Sequence, residues 1–402
     1  MIGVRNFDFF SSVLLSSIQP VVICANASEV TQAIASKSEV IEVATHYNSQ
    51  SLCFEMFASE IFEALGQRMD TNEIDAVFCN QEANLVTARE LRQMLNLVEP
   101  LDCDIQLFRH KLSMKAIVAG HGLRIPHFAD ELGTCHSTLA EKLDTPYIIK
   151  PCASVGSRGV FKIYQQADFD QFLAETAEDD CLYQAEEFID GTLYHCDIVI
   201  QEGKFLFQHA CQYSCPNAEF QDGKILGSFL VRPKSSLEQK LNQFSADCMK
   251  ALGAPNGCFH MEVFIKKDGE PVFLEVAARS PGLSIVPIYQ SWLGINLYDA
   301  ELTIQMGKDA TQLFEIQTDF IPLPLFYAVL PKKTGTVETL NGPEIDSQYK
   351  LNWNVKRGEV VDNTSTNLDF AGCLIVTNPC ADKLVKDWDY ICNMFEPITY
   401  SS

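Results

Sequence analysis

A chain of 402 residues is longer than one hydrophobic core serves, and with 47% hydrophobic and 21% charged residues it reads as two or three globular lobes with clefts between them. A formal net charge of -23 disfavours phosphate backbones and anionic lipid, and no basic stripe offsets it, so neither nucleic acid nor a membrane is an expected partner. Fifteen cysteines without a CxxC pair point to free thiols in a reducing, cytoplasmic setting, and no apolar run is long enough to predict a transmembrane helix.

Phe10 to Ala27 superficially resembles a signal peptide, but Asp8 and the Gln19-Pro20 break favour a first core strand over Val21 to Cys24. Short apolar strands then alternate with helical patterns in VVICA, SEVTQAIAS, VIEVA, DAVFCN and ANLVTARELRQML, the rhythm of an open α/β sheet. A pause over Pro100 to Asp104 marks a boundary. After it, FRHKLSMKAIVAGHGLRIPHF predicts a helix, a glycine turn and an extended segment. Strands dominate from Tyr147 to Ala278, with hairpin signals at Glu202-Gly203, Asp222-Gly223 and Asp268-Gly269. Beyond Gln305, GTVETL, GEVVDN and CLIVTN predict short strands, followed by a helix from near Ala381 to Phe395.

The most informative segment is NGCFHMEVFIKKDGEPVFLEVAARSPG. If Lys267 and Glu270 close a two-residue turn at Asp268-Gly269, Glu262 falls opposite Glu275 with Cβ atoms about 5 Å apart. Period-two alternation puts His260, Ala277 and Arg279 on their face, and Met261, Val263, Ile265, Val272, Leu274 and Val276 on the buried one. Facing carboxylates repel unless a cation lies between them, and hard oxygen donors suit Mg²⁺, with Mn²⁺ able to substitute. The plainer reading is a solvated sheet face. Arg279 argues against it, because a strand-borne arginine beside two carboxylates can meet a developing negative charge.

Two further elements accompany the pair. YIIKPCASVGSRGVFKIY sets Lys150 at the end of an apolar strand, before a small-residue loop from Ala153 to Gly159 whose N–H groups can approach phosphate. CLYQAEEFIDGTLYHCDIVI leads a strand into Glu186, Glu187, Phe188 and Ile189, an extended run able to hydrogen-bond an adenine edge. Alone, each is an ordinary turn. His260-Met261-Glu262 matches the H-x-E fragment of zinc deaminases, but no P-C-x-x-C follows. His46, His127, His136, Cys211 and Cys215 lack metal spacing, whereas His209 lies on a strand entering the presumed cleft.

The order Lys111, Lys150 with its loop, EEFIDG, Glu262, Glu275 and Arg279 resembles the ATP-grasp superfamily over residues 75 to 310. The run EVAARSPG is most similar to the bacterial L-amino acid ligases that join two free amino acids. The resemblance implies a mixed α/β and α+β fold. Its parts are a Rossmann-like pre-ATP-grasp domain over 1–105, an ATP-grasp domain over 106–310 with a mobile lid near 111–185, and a small α+β lobe over 311–402. It implies ATP and Mg²⁺ as cofactors. Lys111 and Lys150 then meet the phosphates, Ser154, Gly156, Ser157 and Gly159 form the lid loop, and Glu186 to Ile189 form the adenine hinge. Glu262 and Glu275 hold the metal, and Arg279 and His260 are catalytic. Two positions depart from the pattern: Ala277 stands where many members have a metal-binding Asn, and Leu193 where many have a ribose-binding Glu.

The expected activity is activation of a small carboxylate as an acyl phosphate, with ADP release, and transfer to an amine. Amino acids are the expected substrates for both, and a homodimer is the expected assembly. The alternatives are a carboxylase of the biotin carboxylase or purine-pathway kind and an inactive, ATP-binding regulatory protein.

Overall fold

The computed structural model describes residues 1–3, 7–129, 131–133, 135–178, 180–315 and 320–401. At the N-terminal end, β1 (Val21–Cys24) and β2 (Glu39–Glu42) pair in parallel, with Val22 opposite Val40. Ile2 bridges both Ile23 and Cys79, also in parallel, so the first three residues lie in the middle of this small sheet. Ile2, Val22, Ile23, Phe78 and Cys79 are all buried, as strands covered on both faces must be. A hairpin that the sequence reading did not anticipate follows, β3 (His46–Asn48) and β4 (Cys53–Glu55). The helices Ala58–Gly66 and Leu85–Met94 complete the lobe.

A second, smaller sheet comprises β5 (Phe128–Ala129), β6 (Tyr147–Pro151), β7 (Phe161–Ile163) and β8 (Tyr183–Glu187), in the order β5-β8-β6-β7. Leu139 and Leu143 from one helix and Phe169 and Phe172 from another pack with Tyr147, Ile149, Ile163 and Ala185 to give it a core of its own. This is the part expected to be the lid. The helix Lys111–Gly120, within the range 111–185 read as lid, instead packs on the main body, where Met114 and Val118 join the large core.

The main body is built on an eight-stranded antiparallel sheet. Four of its strands are β9 (Gly191–Gln201), β10 (Lys204–Tyr213), β11 (Leu226–Leu230) and β12 (Gly257–Lys266). The others are β13 (Pro271–Ala277), β14 (Leu325–Leu330), β16 (Gln348–Trp353) and β18 (Gly372–Thr377). Their order is β13-β12-β9-β10-β11-β14-β18-β16, so the C-terminal lobe continues this sheet by pairing β14 onto the edge of β11. A separate three-stranded sheet holds β15 (Gly335–Leu340), β17 (Val360–Val361) and β19 (Ile398–Ser401), and the helix Ala381–Asn393 covers the end of the main sheet with Leu384, Trp388 and Ile391. The β9–β10 turn is the tight one expected, with Glu202 and Gly203 both in the left-handed region at φ 51° and 73°. Asp222-Gly223 is not a hairpin turn: it ends a longer connection between β10 and β11 that contains the 3-10 turn Asn217–Phe220. No helix among the described residues is long and apolar enough to cross a membrane.

Candidate active site

The β12–β13 hairpin brings Glu262 opposite Glu275, but not through the expected turn. Gly269 N–H donates to the Lys266 carbonyl and Lys266 N–H to the Glu270 carbonyl, so the loop has three residues, with Gly269 in the left-handed region at φ 88°. That turn moves the pairing by one, to Ile265 opposite Pro271 and Val263 opposite Phe273. A bulge at Leu274 then adds one residue to β13 and restores Glu262 to Glu275 and His260 to Ala277. The two offsets cancel. The bulge also corrects the facing: Phe273 enters the core with Val272, while Leu274, expected there, is half-buried and lines the cleft.

Neither carboxylate stands alone. Glu262 Oε1 accepts a hydrogen bond from Asn217 Nδ2 at 2.6 Å, and Glu275 Oε2 lies 3.1 Å from Lys111 Nζ. Burial, then the facing charge of Glu275, pushes Glu262 up to about 8. Burial works the same way on Glu275, but Lys111 and Lys150 outweigh it and hold that carboxyl below its ordinary range. The burial and the facing charge that raise Glu262 are what a bound cation would relieve, and the oxygens of two ionised carboxylates are a fitting donor set for a hard divalent cation.

Lys150, on β6, places its ammonium 2.6 Å from Glu186 Oε1, and Lys115, which the sequence reading missed, holds the other oxygen of the same carboxylate. All three are buried. Glu186 and Glu187, expected in the adenine hinge, both line the cleft beside Phe188 and Ile189. Glu186 is flanked on both sides, by Phe128 of β5 and Ile148 of β6, so its backbone belongs to the ladder and its side chain aligns two lysines. Glu187 N–H donates to the His127 carbonyl and its carboxylate binds Arg124 Nη2 at 2.6 Å. The chain leaves the ladder at Phe188 and Ile189, which line the cleft, with Lys162 Nζ 3.9 Å above the Phe188 ring.

The loop from Ala153 to Gly159 packs against the main body and the N-terminal lobe. Gly156, Ser157 and Gly159 all take positive φ, and Ser154 Oγ donates to the Arg158 carbonyl at 3.0 Å. Three ties hold the loop: Lys111 Nζ to the Ser154 carbonyl at 2.8 Å, Gln221 Nε2 to the Ser157 carbonyl at 3.0 Å, and Arg158 Nη1 to the Leu52 carbonyl at 2.9 Å. A cavity of about 360 Å³ lies beneath it, within the usual range for a small-molecule site. Lys111, Lys150, Glu262, Glu275, Arg279 and His260 all line it.

Arg279 donates through Nε and Nη2 to Glu82 Oε2, at 3.1 and 2.8 Å, and Glu82 comes from the N-terminal lobe. Burial favours the neutral form of Glu82, but Arg279, Arg109 and Lys111 keep it below the ordinary carboxylate range. On the other wall, His260 Nδ1 lies 2.7 Å from Asp197 Oδ1, which leaves Nε2 facing Tyr213 Oη at 3.2 Å and Glu262 Oε1 at 4.0 Å. Asp197 Oδ2 also meets His195 Nδ1 at 2.7 Å and accepts a hydrogen bond from the Tyr289 hydroxyl at 2.5 Å. His195, Asp197 and His260 are close enough to hold a metal between them, but His195 Nε2 is occupied by Ser228 Oγ at 2.7 Å and every other ligand atom is likewise hydrogen-bonded. The cluster is a polar network that orients His260.

Glu82, Lys115, His195 and Asp197 escaped the sequence reading, whereas Asn217 lies in the stretch Gln212 to Ser228 that it expected to shape the acceptor pocket. Only one signal could have found any of the four: the alternating polar residues of HCDIVI, set in a strand whose other positions are apolar. His209, expected on a strand entering the cleft, is not among the residues that line it and pairs with Glu238 at 2.6 Å; of the residues set aside, His46 pairs with Glu60 and His136 with Tyr147, and Cys211 and Cys215 form no disulfide. Leu193 and Ala277 both line the cavity and offer no polar atom to it.

Residues 143–287 match the family described as an ATP-grasp domain. An L-arginine-specific L-amino acid ligase of Bacillus subtilis is 23% identical over 314 residues, which cover 74% of each chain. A D-alanine–D-alanine ligase of Lactococcus lactis is 23% identical over 223 residues, 52% of this chain and 63% of that protein. The solved L-amino acid ligase from Bacillus licheniformis superposes with a TM-score of 0.73 at 17% identity, covering 98% of this chain and 96% of its own. Phosphoribosylglycinamide synthetase from Anaerococcus prevotii superposes at 0.63 and 15% identity, covering 100% of this chain and 98% of its own. Residues 143–287 therefore match an ATP-grasp domain, and nearly the whole chain shares the fold of the solved L-amino acid ligase.

Proposed function

We propose that this protein is an ATP-dependent, ADP-forming ligase that joins amino acids through an amide bond, by way of an acyl phosphate. The observation that carries the reading is the convergence in one closed cleft of Lys111, Lys150, the facing carboxylates and the Arg279–Glu82 pair. The curated relatives named above are amino-acid ligases, which does not favour the carboxylase alternative.

Magnesium, held by Glu262 and Glu275, would supply positive charge to the ATP phosphates. Lys150 on the proposed lid and Lys111 on the body offset the phosphates' negative charge from two sides while the substrate carboxylate attacks the γ-phosphate. Arg279 and Glu82 present a guanidinium and a carboxylate side by side, the complement of a zwitterion's carboxylate and ammonium. As the amine attacks the mixed anhydride, Arg279 meets the oxyanion. The Asp197 contact at Nδ1 leaves His260 Nε2 as the atom that can take the amine's proton. Closure of Ser154 to Gly159 keeps water from the anhydride.

Fifteen free thiols support a reducing compartment, and we place the protein in the cytoplasm, as a homodimer that sedimentation would check. The activity is tested by screening ADP release across single amino acids and pairs, with the product identified by mass. A dipeptide formed with one ADP per bond is the expected result. ADP release on bicarbonate alone, with no amide product, would overturn the reading.

A further inference from the structure

The two carboxylates leave an octahedral ion short of protein oxygen, and the hairpin itself cannot add more. The Ala277 side chain, two residues beyond Glu275 on the cleft, has no donor atom, and His260, whose Nδ1 is held by Asp197, offers a ring nitrogen where magnesium prefers oxygen. The next polar group against the pair comes from elsewhere. Asn217 opens the 3-10 turn Asn217–Phe220 in the β10–β11 connection, which Phe220 anchors by complete burial. One of its amide atoms sits 2.6 Å from Glu262 Oε1, and its other, Oδ1, is buried without a hydrogen-bond partner.

A buried amide oxygen with no donor facing it carries a desolvation penalty that a bound ligand would relieve. A half-turn of the amide exchanges its nitrogen and oxygen, and so would present that oxygen beside the Glu262 carboxylate. Oxygens on neighbouring corners of a magnesium octahedron lie about 3 Å apart, so a site already holding the two atoms at 2.6 Å needs only a small expansion. We propose that Asn217 is a third protein ligand to the divalent cation held by Glu262 and Glu275, an inference that rests on the ligase reading above. The following residue but three, Gln221, binds the Ser157 carbonyl of the lid loop, so the same short segment touches the ion site at one end and the lid at the other.

The test is Mn²⁺ binding to the full chain with saturating ADP, read by loss of the free-ion EPR signal, with ADP affinity in EDTA as the control for folding. Asn217→Ala is expected to weaken Mn²⁺ binding by about tenfold or more at unchanged metal-free ADP affinity. Asn217→Asp keeps an oxygen ligand and loses the donor, and is expected to hold Mn²⁺ at least as well as the wild type. If Asn217→Ala keeps wild-type Mn²⁺ affinity while Glu262→Gln loses it, the Asn217 assignment fails and the carboxylate site stands. If Asn217→Asp falls as far as Asn217→Ala, the amide acts only as a hydrogen-bond donor and the assignment again fails. Wild-type Mn²⁺ affinity in both Glu262→Gln and Glu275→Gln sinks the carboxylate site and this inference together.

Discussion

The lid and the β9–β12–β13 floor hold their functional groups in opposite ways. The proposed lid is a four-stranded sheet with its own small core, joined to the main body by the hydrogen bonds of Lys111 and Gln221 and to the N-terminal lobe by that of Arg158. The floor belongs to an eight-stranded sheet, and eight consecutive residues of β9, from Leu193 to Ile200, are buried. Lys150 rides on the first and Glu262, Glu275 and His260 sit in the second. A site assembled from a fixed floor and a separate roof can exclude water only when the two meet, so removing a floor group should abolish chemistry, and loosening the roof should waste ATP.

The contrast is broken most severely at the floor. Glu275→Gln is expected to lower kcat by about a thousandfold, on the scale of lost electrostatic stabilisation, with the melting temperature preserved. Next, Asp197→Asn leaves His195 and His260 facing an amide in place of a charge within a fully buried network. It should destabilise the fold by about 3 kcal/mol, measured by denaturant unfolding, because breaking a buried charged network leaves its partners unpaired. Unfolding indistinguishable from wild type would show that the network does not depend on that charge.

The roof should respond more gently. Gly156→Pro, at φ 69°, demands a backbone that proline cannot adopt, and amide formation should fall more than nucleotide affinity does. Unchanged dipeptide yield per ADP would count against closure. The smallest effect belongs to Arg158→Ala, which removes the tie to the Leu52 carbonyl. Hydrogen exchange should quicken across residues 147–163 and not across 257–277; equal quickening in both would mean that lid and floor open as one unit.

The pieces that were legible in the sequence depend on local chemistry. Glu202-Gly203 closes a tight hairpin because both residues take positive φ, and the apolar alternation of β12 places Met261 and Val263 inside. Glu262 and Glu275 were paired by a route that the structure replaces: the turn takes one more residue than expected and the bulge at Leu274 takes it back. Nothing local specifies that bulge. It follows from Phe273 turning into the core, and that preference depends on neighbours distant in sequence. Distance also hid the residues that complete the site, since Lys115 meets Glu186 and Glu82 meets Arg279 only once three sheets are assembled.

The central claim, that a carboxylate is phosphorylated before an amine displaces the phosphate, has a direct isotopic test. An amino acid carrying ¹⁸O in its carboxylate, incubated with a second amino acid, ATP and magnesium, is predicted to pass one ¹⁸O into the released phosphate for each amide formed. Amide formation with no label in the phosphate would contradict the account.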